Sequence, residues 1–368
     1  MDIIFDLATP NDDPAIRQLL ARNPVPGPVT VSYEREPNYF LGCEVMGPFS
    51  QVFVGRHQPD GRLTGVACRA IRRMFVNGRA EAVGYLGQLR VDRPFQGRWL
   101  VSAGFRFFHQ LLTDGQAKGY ITTIIEGNTK AEGVLIRRLR PNFPYYRPLD
   151  RLCTAAILLR RPQKIGASEY EIRSGSPQNL GQIVAFLNQH GPSKQFYPYF
   201  EEADFCNHPT TRDFQVEDFL LAYRQGHLVG VLGLWDQSGY KQTIVRAYDA
   251  SLRRLRPFYN IGGRLLGLKP MPPPGQPIHF AYASFICLAN NDPAIFRVLL
   301  HRAYNLASER GYAYLMVGLS ERDPLLAEVR RYWHIPYYSR LYTVGWQEDL
   351  SFHEKLDGRL PYVEIAAL

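Results

Sequence analysis

Leu180, Ile183, Val184 and Leu187 stand at i, i+3, i+4 and i+7, a spacing that gathers apolar side chains on one face of a helix. Ser176 precedes them as a cap, Pro177 sits in the first turn, and "YEIR" ahead of them reads as a short strand. The beginning of the sequence has the same plan. "IIFDL" is a strand, Asp12 or Asp13 a cap, Pro14 a first-turn residue, and Ile16, Leu19 and Leu20 share one face. Each opening predicts a βα unit.

Strand patterns follow both units. In the first half they cover 50–57, 61–76 and 80–91, divided by Asp60-Gly61 and Asn77-Gly78, dipeptides that favour hairpin turns. In the second half "FLLAYRQGHLVGVLGLW" and "HFAYASFICLA" take the same parts, with Gly226 at the turn. Farther on the likeness is closer. "KGYITTII" resembles "RGYAYLMV", Pro144-Tyr145-Tyr146 matches Pro336-Tyr337-Tyr338, and His109 falls in register with His301. The chain reads as one α/β unit written twice, with a period too long for a solenoid. The junction is expected near 160–170, giving domains at 1–162 and 168–368. The copies differ most between a strand and a helix, where "DRPFQGRW" in the first gives way to the shorter "ANNDPAI" in the second.

Composition narrows the class. The chain has 368 residues, 45% hydrophobic and 21% charged, a globular make-up with more than one core. No apolar run is long enough to span a bilayer, and the start is acidic where a secretory signal is basic, so a soluble cytoplasmic protein without a membrane partner is expected. Cys43, Cys68, Cys153, Cys206 and Cys287 are scattered without CxxC spacing, which indicates buried thiols and neither a disulfide framework nor a metal site. The formal charge of +9 suits an anionic ligand, yet no zinc-finger, RNP-type or helix-turn-helix signature points to nucleic acid. The stretch "SLRRLRPFYNIGGRLLGLK", 251–269, interleaves Arg253, Arg254, Arg256, Arg264 and Lys269 with leucines. It reads as an amphipathic helix with its apolar face on the core, interrupted at Pro257 and Gly262-Gly263. A stiff Pro-rich loop, 269–277, follows it.

The segment "GQLRVDRPFQGRWLVSAGFRFF", followed by "YITTII" and "EGNTKAEGVLIRR", resembles the GCN5-related N-acetyltransferase (GNAT) family, at motif level between Leu86 and Asn142 and in outline across both halves. The resemblance implies an α/β (α+β) fold of two tandem GNAT-like domains, each a mixed, mostly antiparallel sheet flanked by helices. It also implies acetyl-CoA or another acyl-CoA as cofactor, and acyl transfer to the amine of a small-molecule or peptide acceptor. The family's phosphate turn reads Gln or Arg, two residues, Gly, one residue, then Gly or Ala. Here it falls on Gln96, Gly97, Arg98, Trp99, Leu100 and Val101, with Gln96 matching and Trp99 and Val101 replacing the small residues. A helix N-terminus binds pyrophosphate through unpaired N–H groups and its positive dipole end, so the turn keeps its chemistry through the backbone. Arg98 would add a charge-assisted bond, and Trp99 either narrows the approach or packs away. Leu89 and Val91, with Arg90 between them, would offer backbone groups to pantetheine. Asn128 would meet the CoA arm or cap the next helix.

Catalysis in this family removes a proton from the amine and returns one to the thiolate, commonly with a carboxylate or water as base and a Tyr as acid. Leu135, Ile136 and Arg137 stand where the usual Tyr is expected. Tyr145 and Tyr146 are the nearest substitutes, and Tyr85 and Gln88 lie on the central strand. Glu81, Glu126, His109 and the carboxyl end of Leu368 are further candidates, the first three also reading as structural residues. In the second copy Asp292 caps the helix and would repel a phosphate, so this copy is expected to brace the first and wall off an acceptor cleft. Two other readings stay open: a GNAT-fold binding or regulatory protein without chemistry, suggested by Trp99, Val101 and the missing Tyr, and a tRNA-dependent aminoacyl transferase, suggested by the basic charge.

Overall fold

The computed structural model describes residues 3–96, 98–136, 143–164, 166, 168–346 and 351–368, without the side chains of 98–102. The first half runs β1 (Ile3–Leu7), α1 (Asp13–Arg22), β2 (Val29–Glu34), α2 (Tyr39–Glu44), β3 (Phe49–His57), β4 (Leu63–Val76), β5 (Arg79–Val91), α3 (Arg98–Leu112), β6 (Gly119–Ile125), α4 (Thr129–Leu135) and β7 (Tyr145–Leu158). The second runs β8 (Glu171–Ser174), α5 (Leu180–His190), β9 (Lys194–Gln195), β10 (Phe219–Arg224), β11 (His227–Trp235), β12 (Gln242–Tyr248), α6 (Ala250–Leu265), β13 (Phe280–Leu288), α7 (Pro293–Glu309), β14 (Tyr314–Ser320), α8 (Leu326–Val329), β15 (His334–Gly345), α9 (Ser351–Glu354) and β16 (Leu360–Pro361).

Both predicted βα openings form, each helix entered through a short 3-10 turn at Pro10–Asp12 or Pro177–Asn179. The β4–β5 hairpin turns at Asn77-Gly78, where both residues have positive φ (52° and 81°), as a type I′ turn requires.

Twelve strands make one sheet in the order β1-β3-β4-β5-β6-β15-β7-β14-β13-β11-β10-β8. It is antiparallel except at β5–β6 and β13–β14, which are parallel. The two halves exchange their last strands. β7 pairs with β14 and β15, both from the second half, and β15 pairs with β6 and β7, both from the first.

β5 and β13 share a bulge. Gln88 (φ 59°) and Phe285 (φ 55°) each lie three residues past a matching tyrosine, Tyr85 or Tyr282. The parallel registers end at those tyrosines, opposite Ile121 and Met316, and beyond them the paired strands part. In the second half Phe285 stacks on Trp235 at 5.4 Å and meets Phe214 at 4.9 Å in a packed aromatic core. Burial of each such ring contributes roughly 1.5–3 kcal/mol. In the first half the equivalent Gln88 faces a cavity.

α6 departs from expectation in two ways. It continues through Pro257 and Gly262-Gly263 as one helix, capped by Asp249, whose Oδ1 accepts from the Leu252 N–H at 2.8 Å. It closes at Gly267 (φ 75°), with the Leu268 N–H donating to the Gly263 carbonyl at 2.8 Å. Pro257 is exposed and forfeits one intrahelical bond without disturbing any packing. The helix is also turned over: Leu252, Tyr259 and Gly263 lie inward while Leu255, Phe258, Ile261 and Leu265 face solvent.

Candidate active site

Where β5 and β6 part, the structure forms an open cavity of about 610 Å³, inside the range usual for small-molecule sites, about 300–1,000 Å³. Its first-half wall is built from Gln88 to Val91 on β5, Thr122 to Ile125 on β6, Phe105 on α3 and Ala131 on α4. Its second-half wall comes from Lys241, Ile278, Phe280, Tyr282, Tyr314 and Tyr337. Of the residues singled out in the sequence, Tyr85, Gln88, Leu89, Arg90, Val91, Asn128, Tyr146 and Leu368 line this space. Tyr145 does not, and pairs opposite Gly345 at the end of the β7–β15 ladder.

The turn after β5 is anchored by Asp92. Its carboxylate accepts from Asn23 at 3.0 Å, Arg22 at 2.9 Å and Arg62 at 2.6 Å. Burial works to raise its pKa, and these three bonds outweigh burial and hold it below the usual carboxylate range. Gln96, just past the turn, donates from Nε2 to the Val91 carbonyl at 3.1 Å and accepts from Lys130 Nζ at 3.1 Å. Lys130 therefore stands beside the predicted phosphate turn, a cation the motif did not identify. Gly97 lies outside the described residues, and Arg98, Trp99, Leu100 and Val101 are described only as the first turn of α3. Asn128 caps α4, its Oδ1 accepting from the Ala131 N–H at 3.2 Å, and it also lines the cavity.

Two of the candidate tyrosines keep their protons. Tyr85 shares a 2.7 Å hydrogen bond with Thr123 Oγ1, and burial pushes its hydroxyl up; burial does the same to Tyr146. Three other candidates are engaged outside the cavity lining. Glu81 pairs with Lys118 at 2.5 Å. Glu126 is held by Arg151 at 2.8 Å and by Arg340, which keep its carboxyl low. His109 meets the edge of Trp346 at 4.6 Å.

Sequence reasoning missed the polar group that faces Gln88 across the cavity. Arg35, only 7% exposed, donates to the Glu34 carbonyl at 2.9 Å and to Gln88 Oε1 at 3.4 Å. Arg90 lies over the Tyr33 ring at 5.9 Å. Among the described residues, no Asp or Glu side chain lines the cavity, and neither arginine has a carboxylate at ion-pair distance. Lys241 is packed beside Arg35 over Gly42, where a Cβ would come within 2.9 Å of Arg35 and 3.7 Å of Lys241. Its Nζ donates to the Ala366 oxygen at 2.8 Å and the Leu368 oxygen at 3.0 Å. Burial pushes this amine well below the ordinary lysine value, and Arg35 pushes it further.

The corresponding gap in the second half is filled by the chain itself. The Phe285 N–H donates to Glu364 at 2.7 Å and the Ile286 N–H to the Tyr362 hydroxyl at 3.2 Å. Ile365 seats against Gly318, where a Cβ would come within 2.3 Å of it. Asp292 caps α7 by accepting from the Ala294 N–H at 2.7 Å. Among the described residues no His, Cys, Asp and Glu group could hold a metal ion, and no helix is long and apolar enough to cross a membrane. The cysteines are free, Cys206 exposed and the other four buried.

No protein-family model matches the chain, and no curated protein matches it by sequence. Solved structures do. A GCN5-related N-acetyltransferase from Sphaerobacter thermophilus is 13% identical, with 99% of this chain and 98% of that one covered and a TM-score of 0.54. The Saccharomyces cerevisiae N-myristoyltransferase, solved with myristoyl-CoA, is 8% identical over 93% of this chain and 82% of that one, TM-score 0.61. A GCN5-related glucosamine N-acetyltransferase region of a fungal multi-domain GH3 β-N-acetylglucosaminidase is 14% identical over 94% of this chain and 38% of that one, TM-score 0.63. The fold of this chain is the GNAT fold, as the motif from Leu86 to Asn142 implied.

Proposed function

We propose that the chain is an acyl-CoA-dependent N-acyltransferase whose cofactor is held by the first half. The observation that carries this reading is the contrast between the two gaps. In the second half the bulge N–H groups of Phe285 and Ile286 take acceptors from the chain's own Glu364 and Tyr362. In the first half the equivalent Gln88 and Leu89 border a cavity, so the backbone there suits a ligand that brings its own acceptors, as the amide-bearing pantetheine arm does. The turn from Gln96 to Val101, the α3 N-terminus and Lys130 would hold the phosphates. The acyl carbon would then lie by Gln88, with the amine acceptor entering from the second-half wall. Lys241 is suited to take the amine's proton, and Tyr85 and Tyr146 are protonated groups able to return one to the thiolate. Arg35 and Arg90, without a carboxylate partner among the described residues, favour an acceptor that carries an anionic group. The apolar lining beyond Gln88 accommodates an acetyl group and longer acyl groups alike.

Calorimetry with acetyl-CoA and with a long-chain acyl-CoA tests the reading. Binding of at least one is expected, and Lys130→Glu should weaken it by about 3–10-fold. No heat from either ligand at millimolar concentration would overturn the proposal. Binding without release of free CoA across a panel of amines would leave a cofactor-binding protein without chemistry.

A further inference from the structure

α6 shows solvent the face that an amphipathic helix normally hides. Leu255, Phe258, Ile261 and Leu265 are 57%, 74%, 71% and 81% exposed and recur at helical spacing along one side. Leu266, at the helix end, continues the strip to Trp333: Arg160 donates to the Leu266 carbonyl at 3.1 Å and covers the Trp333 ring at 4.6 Å. Trp333 is itself 56% exposed. Alternation along β15 then puts Ile335 and Tyr337 on the same face as Trp333, and both line the cavity. On its inward side α6 carries Tyr259 beside Tyr314, another cavity residue, whose hydroxyl is pushed up to about 12 chiefly by burial. An apolar strip, bridged by the Arg160 side chain between Leu266 and Trp333, thus runs from an exposed helix to the cavity wall.

Its charge selects the partner. Between 250 and 279 the chain carries Arg253, Arg254, Arg256, Arg264 and Lys269 and no Asp or Glu. Arg253, Arg254 and Arg264 are exposed beside the apolar strip. A second copy of the chain docked on this face would bring its own arginines against these, like charge against like. An anionic bilayer surface meets both features at once, taking Leu, Ile and aromatic side chains into its interface and Arg and Lys at its headgroups. We propose that α6 and Trp333 form a membrane-docking face for anionic lipid surfaces, placing the second-half wall of the cavity at the bilayer. The proposal needs no cofactor and stands apart from the acyl-transfer reading.

The test is co-sedimentation of the full chain with vesicles of phosphatidylcholine alone and of phosphatidylcholine mixed with phosphatidylglycerol. Retention on the mixed vesicles, reduced by salt, is expected. The triple variant Phe258→Ser, Ile261→Ser, Leu265→Ser should lose about ten-fold or more of that affinity, with an unchanged thermal transition because all three side chains are exposed. Charge reversal at Arg253 and Arg264 should abolish the preference for the anionic vesicles. Equal partition to both vesicle types, or variants that bind as the parent does, would overturn the proposal. A concentration-dependent dimer dissolved by the triple variant, or RNA retained in place of vesicles, would overturn it too by assigning the face to another partner.

Discussion

A lysine amine buried beside a guanidinium gives up its proton more easily than one in water, because both surroundings penalise the ammonium. Lys241 is in that position, with Cys43 and Glu364 acting more weakly in the opposite sense. If it is the base, it works only when neutral. The logarithm of kcat/KM should then rise with pH until the amine has lost its proton and level off, with the midpoint below the usual lysine value of about 10.4. Lys241→Met should remove that limb and lower kcat by about 10²–10⁴-fold, while acyl-CoA affinity by calorimetry stays unchanged. A variant with the parent's pH profile would show that another group takes the proton. Nothing in "GYKQT" marks this lysine. Its place depends on β12 pairing with β2, which brings it to Arg35, and on residues 366–368 returning to meet it. Tyr85, Gln88, Leu89, Val91 and Asn128 could be placed on one wall for the opposite reason, since they belong to one continuous strand-turn-helix-strand segment.

Elements were easier to find than to orient. The spacing of apolar residues located the helix of 250–265, but its inward side uses Tyr259, Asn260 and Gly263, which hydropathy does not count as a core face. The shared bulge was legible only as the matching tyrosines Tyr85 and Tyr282, and what fills each gap was not, because the plug comes from residues some 80 positions away. That plug is testable as an element. Glu364 is buried, and its Oε2 accepts from both the Phe285 N–H and the Tyr362 hydroxyl at 2.7 Å. Glu364→Ala leaves a buried N–H unpaired beside a hole, and should cost about 1–3 kcal/mol in urea denaturation. A change within error would mean that the second-half gap closes without the plug. Acyl-CoA binding to the first half should survive the substitution wherever the protein stays folded.

At the scale of the whole molecule, the sequence reads as two separable copies, yet the hydrogen bonds join them. Hydropathy fixes where a strand lies along the chain, not which sheet receives it, so the exchange of β7 and β15 had no signal. Among the described residues, β7 has no ladder partner in its own half, and β15 has none in its own. Cutting the chain near 163 would leave β6 and β14 as open edges, and the two detached strands without any partner. The cavity would also lose one wall, since Lys241, Tyr282 and Tyr337 stand opposite Gln88 and Leu89. Residues 1–162 and 163–368, produced separately, should therefore show no cooperative thermal transition and bind no acyl-CoA, while their co-expression should restore both. A sharp transition from 1–162 alone would show that the exchanged strands are an addition to two self-sufficient domains. Its absence would mean that the site exists only where the halves interlock, with the cofactor gap of one completed by the wall of the other.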